Sequence, residues 1–91
     1  MFKFYDLYNS FEEFYESFFR GNEITFHFEQ EDYYILPLFN DSKKVYAVMV
    51  GKAHDDNETV CFSKAELLNW KIGGFYFHDI LERIDITFHN F

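Results

Sequence analysis

The chain holds one cysteine, Cys61, so no disulfide can form within it and a disulfide scaffold is excluded. One proline and four glycines punctuate it sparsely. No internal repeat, low-complexity segment or linker divides it. No apolar run is long enough to span a bilayer. Met1 is followed by Phe2, Lys3, Phe4, Tyr5 and Asp6, which is not a signal-peptide pattern. A single cytoplasmic domain over residues 1–91 is therefore expected. Basic residues are also scarce. Eight Lys and Arg stand against sixteen Asp and Glu, a net charge of −8. That balance disfavours direct binding to nucleic acid, which needs cations to neutralise phosphates, and to an anionic membrane surface for the same reason. A basic protein partner is the natural complement.

Motifs that announce chemistry are missing as well. The four histidines, His27, His54, His78 and His89, form no His-x-x-x-His pair, and one cysteine allows no Cys-x-x-Cys. Asp55, Asp56, Asn57 and Glu58 lack the alternate spacing and central Gly of a calcium loop. They read as a solvated loop. Gly73-Gly74 lacks the Lys and Ser or Thr of a phosphate-binding loop. Cys61 lies in the apolar run Val60-Cys61-Phe62, the usual setting of an inert thiol. The expectation is a protein without enzymatic activity, metal or cofactor.

What is present is apolar and aromatic. Apolar residues make 48% of the chain and aromatics 24%, which argues against disorder. Fourteen Phe and seven Tyr are more than a small domain easily hides, so some are expected to meet a partner or a second copy of the chain.

The segment Ile24 to Gly51 reads as three strands in a meander. Ile24, Phe26 and Phe28 alternate with Thr25, His27 and Glu29, the pattern of a half-buried strand. Gln30, Glu31 and Asp32 are expected as a three-residue loop. Tyr33 to Phe39 is apolar on both faces, so it should be covered twice or lie at an interface. Pro37 should sit near a strand end, a bulge or an edge. Asn40-Asp41-Ser42 is turn chemistry, and Val45 to Val50 is the third strand.

Two helices flank the meander. Ser10-Phe11-Glu12-Glu13 is a capping box, followed by an apolar stripe at Phe11, Phe14, Tyr15, Phe18 and Phe19 and a terminating Gly21. Ser63-Lys64-Ala65-Glu66 is a second box opening a short helix through Trp70. Residues 1–9 read as an extended segment or first strand. Thr59 to Phe62 and Ile84 to Phe88 read as further strands. Asp79 to Glu82 has the spacing to open a helical turn that buries Ile80, Leu81 and Ile84. The fold class expected is α+β. An antiparallel meander of about four to five strands would carry an N-terminal amphipathic helix and a short C-terminal helix on one side.

Charge is uneven along the chain. Residues 1–32 hold eight acids and two bases, net −6, whereas residues 33–91 hold eight acids and six bases, net −2. Acids near a helix N-terminus also complement the macrodipole, so a solvated capped face explains part of this. The candidate partner-binding residues are Glu12, Glu13 and Glu16 on the helix and Glu23, Glu29, Glu31 and Asp32 on the first strand and loop, with Tyr33 as an aromatic anchor. With these carboxylates the chain resembles the small acidic inhibitors of phages and mobile elements, of the anti-CRISPR and DNA-mimic type. The resemblance lies in overall character, not in a motif. It implies a non-enzymatic inhibitor that offers carboxylates to a basic groove, such as that of a CRISPR effector nuclease, and blocks its DNA or guide RNA. An immunity or antitoxin-like protein that caps a toxin would use the same complementarity. A homodimeric accessory protein of a mobile element would spend the aromatic excess on self-association.

Overall fold

A computed structural model of the protein describes residues 1–90. The fold is α+β. Five antiparallel strands form one sheet, and the helices pack on one of its faces. The strands are β1 (Ile24–Phe28), β2 (Glu31–Phe39), β3 (Val45–Lys52), β4 (Glu58–Cys61) and β7 (Asp85–His89), in the order β4-β3-β2-β1-β7. A separate small hairpin joins β5 (Lys71–Ile72) to β6 (Phe75–Tyr76). The helices are α1 (Phe4–Leu7), α2 (Phe11–Phe18) and α3 (Lys64–Leu68), with a 3₁₀ turn at Phe77–Asp79.

Local chemistry sets the helices. The Ser10 hydroxyl accepts from the Glu13 N–H at 3.1 Å, and the Ser63 hydroxyl accepts from the Glu66 N–H at 3.2 Å. Gly21 ends α2 with φ +92°, and the Asn22 N–H returns to the Ser17 carbonyl at 3.1 Å. The apolar stripe of α2 buries Phe14 and Phe18 against Phe4, Phe26 and Phe77, a core built largely of aromatic rings.

Cross-strand register assigns the faces. Phe26 stands opposite Tyr33, Ile24 opposite Ile35, Ile35 opposite Val50, and Val48 opposite Cys61, and these residues line the helix-covered face. Tyr34, Leu36, Leu38, Met49 and Val60 therefore alternate onto the other face. They are half-buried, and none belongs to or packs on the core cluster. The doubly apolar β2 is thus the central strand, covered on one side only.

Three details differ from the sequence reading. Residues 4–7 are helical, because the Asp6 carboxylate accepts from the Lys3 N–H at 2.9 Å and Phe4 and Tyr8 share one helical face. Only Phe2 is extended, as a single bridge to Ile86 on the edge of β7. The β1–β2 loop is the two-residue turn Glu29–Gln30, with φ +50° and +68°, so Glu31 and Asp32 belong to β2. Pro37 meets its expectation: it lies two residues from the end of β2, next to the Leu38/Phe39 bulge, and beyond Ile35 β2 has no β1 neighbour, so the residue without an N–H stands where one side has no ladder. The helical turn near the C-terminus is at 77–79 rather than opening at Asp79, with Ile80, Leu81 and Ile84 buried as expected.

Candidate functional site: the acidic end of the sheet

In a meander, alternate connections fall at the same end of the sheet. The Glu29–Gln30 turn and the β3–β4 connection (residues 53–57) therefore lie side by side, joined by a hydrogen bond from the Ala53 N–H to the Asp32 carbonyl at 2.8 Å. Glu29, Glu31 and Asp32 are brought together here with Asp55, Asp56 and Glu58, and with Asp85 across β1. Asp55 is held by its own turn, its carboxylate accepting from the Asn57 N–H at 2.9 Å.

Some of these carboxylates have cations of their own. Glu31 pairs with Lys52 at 3.4 Å and Asp85 with Lys3 at 2.6 Å, and Asp32 shares a 3.0 Å hydrogen bond with the His27 imidazole. Glu29 meets Arg83 at 3.2 Å, and that guanidinium lies 5.0 Å from the Phe28 ring and 4.9 Å from the Phe75 ring. These pairs are exposed or half-exposed, worth about 0–1 kcal/mol each, so a partner's Lys or Arg can replace them at little cost. Among the described residues no ion pair reaches Asp55, Asp56 or Glu58.

Tyr34 closes the site on the uncovered face. Its ring crosses Gly51 on β3, and its hydroxyl donates to Glu58 at 3.4 Å. A β-carbon added at Gly51 would lie 2.5 Å from the Tyr34 oxygen, so glycine is what lets the ring lie flat on the sheet. Burial, with the Glu58 carboxylate beside it, pushes the Tyr34 phenol up.

The other sequence-predicted residues are dispersed. Glu12 pairs with Lys64 at the start of α3. Glu13 is half-buried on α2 and Glu16 is exposed. Glu23 precedes β1 while Glu29 follows it, so the length of a five-residue strand, roughly 17 Å, separates them. That exceeds the roughly 8 Å over which exposed charges act in physiological salt, so the seven carboxylates do not form one field. Tyr33 turns to the helix side, stacked 5.4 Å from Phe26 and edge-on to Trp70 at 6.1 Å.

Asp55, Asp56, Glu58 and Asp85 were missed as site residues. The signal was available: a four-strand meander places its first and third connections together, which makes the Asp55-Asp56 loop a neighbour of the Glu31-Asp32 strand end.

The opposite end of the sheet carries Arg20, Lys43 and Lys44, which line a hollow with Phe19, Phe39 and Val45. Among the described residues these three cations take no ion pair. Among these residues, cations without ion pairs thus stand at this end, beside Asp41 in the Lys43-Lys44 turn, and carboxylates without ion pairs stand at the other.

Burial, and secondarily the Glu66 carboxylate, push the Cys61 thiol up to about 11, so it is protonated near neutral pH. Among the described residues no group of three or more His, Cys, Asp or Glu side chains converges as a metal site, and no helix is long and apolar enough to cross a membrane. No family model, curated protein or solved structure matches the chain.

Proposed function

We propose that the protein is a non-enzymatic inhibitor that presents the acidic end of its sheet to the basic groove of a nucleic-acid-binding protein, in the manner of anti-CRISPR and other DNA-mimic inhibitors. The observation that carries this reading is the grouping of Asp55, Asp56 and Glu58, without cations, beside Glu29, Glu31 and Asp32. Strands spaced about 4.8 Å apart fix the backbones of Glu31, Asp32 and Glu58, and the Asn57 N–H bond holds the Asp55 carboxylate in its turn, so less conformational entropy is lost on docking. A groove built to hold phosphates offers Lys and Arg at close spacing, and the array competes for them. Charge steering would speed the encounter and make it sensitive to salt.

The test is DNA cleavage by purified CRISPR effector nucleases, each loaded with guide RNA and preincubated with the protein. Inhibition is expected for a cognate effector and should weaken as salt rises. The triple variant Glu31→Lys, Asp55→Lys, Asp56→Lys should inhibit about a hundredfold less well, the scale expected when several interface charges are reversed. The variant Glu12→Lys, Glu13→Lys, Glu16→Lys should stay close to the parent. A sheet-end variant as potent as the parent would place the site elsewhere. Failure against every effector class would sink the CRISPR reading itself.

A further inference from the structure

We infer that the uncovered face of the sheet is the interface of a twofold homodimer, an inference that does not depend on the inhibitory reading although it shares Asp55, Asp56 and Glu58 with that site, so that self-association and groove binding would compete for them. The bare face presents Tyr34, Leu36, Leu38, Met49, Val60 and Phe88 from four of the five strands. Phe88 is 48% exposed, and the other five are half-buried only by one another and by the sheet. Leu36, Met49 and Val60 lie opposite one another across three strands with Leu38 beside them, an apolar strip without polar alternation, while Thr25 on β1 stands between Tyr34 and Phe88.

Size favours a second copy. The face spans roughly 20 Å across the strands and 25–30 Å along β2 and β3, about 500–600 Å² in projection. This is the order of the roughly 800 Å² per partner that specific interfaces bury.

Charge chooses the partner. Asp55, Asp56 and Glu58 stand at one end of the strands, and Lys43 and Lys44 stand in the β2–β3 turn at the other. Two copies packed face to face about an axis perpendicular to the strands bring each acidic end against the other copy's Lys43-Lys44 turn, twice over. An axis along the strands would set acid on acid. A uniformly basic foreign protein laid on this face would meet Lys43 and Lys44 as well as the acids. The arrangement is therefore self-complementary in one orientation, that of an aligned sandwich with antiparallel strands.

Sedimentation of the purified full chain through the micromolar range, without any nuclease present, tests this. A concentration-dependent dimer is expected. Leu36→Asp should raise the dissociation constant at least about a hundredfold, with circular dichroism reporting whether the fold is kept. The surface variant Lys43→Glu, Lys44→Glu avoids the folding question and should weaken the dimer about tenfold. Adding Asp55→Lys and Asp56→Lys to it should recover part of the lost affinity, because these two positions then meet the reversed turn with opposite charge while Glu58 keeps its sign. A parent chain that stays monomeric overturns the proposal, including the case where a foreign protein uses the face instead. So does a folded Leu36→Asp variant that dimerises like the parent, or a Lys43→Glu, Lys44→Glu variant with unchanged affinity.

Discussion

Asn22 ties three separate parts of the chain together through one carboxamide. Its nitrogen donates to the Tyr8 hydroxyl and to the Ser17 hydroxyl, each at 2.9 Å, and its oxygen accepts from the Asn90 N–H at 3.0 Å. Ser17 passes the network on, donating to the Phe14 carbonyl at 2.6 Å. Asn22 is 1% exposed, so water cannot replace these bonds. Changing Asn22→Leu would deprive several buried polar groups at once and should cost about 2–4 kcal/mol, given 1–3 for each group left without its partner. Urea denaturation of parent and variant measures it. A loss below about 0.5 kcal/mol, the range of ordinary surface changes, would show that the junction is not structural. Nothing in the sequence marked Asn22, since its importance depends on where Tyr8 and Asn90 arrive in space.

The Glu29–Gln30 turn is the element whose sequence suits its geometry least. Both residues hold φ in the left-handed region, where a β-carbon costs roughly 1 kcal/mol or more. Replacing Glu29→Asn and Gln30→Gly should relieve that cost while forfeiting only an exposed ion pair to Arg83. The expected gain is about 1 kcal/mol, or roughly 4–8 °C in melting temperature for a domain of this size. A melting temperature no higher than the parent's would mean that Arg83 anchoring matters more than the backbone. This turn also shows which elements could be read from the chain. The starts of α2 and α3 were legible because Ser10 and Ser63 act on their own neighbours three residues away. The faces of β1 were legible from alternation. The turn position was not, because non-glycine residues took the conformation that Asn-Gly usually marks. The β5–β6 hairpin was read only as a break, since Gly73 and Gly74, both at positive φ, join strands of two residues each, too short for periodicity. The acidic site was half legible. Its Glu31-Asp32 side lay in the charge-rich first third, and its Asp55-Asp56 side depended on the meander that joins them.

At the scale of the molecule, several ionisable groups are buried or half-buried in their neutral forms. Burial is the leading cause that raises the phenols of Tyr8, Tyr15, Tyr33 and Tyr34 and the thiol of Cys61. In the unfolded chain these groups lose their protons sooner as pH rises. Their contribution is complete below the unfolded values, 9.0 for the thiol and 10.0 for the phenols, and is lost as pH climbs through the folded values. The melting temperature should therefore fall steadily above about pH 9, near the unperturbed thiol value, in a scan carried to pH 11. A flat profile there would contradict the burial of these groups. The same aromatic core supplies an optical signal. Trp70 is the only tryptophan of the chain, half-buried with its ring 5.5 Å from Phe77 and 6.1 Å from Tyr33. Its emission reports the state of the core, and excitation of Tyr33 feeds it by energy transfer only while the two rings remain neighbours. It lies on the helix side of the sheet, away from the bare face. A single fluorophore can thus register unfolding while staying silent to association there.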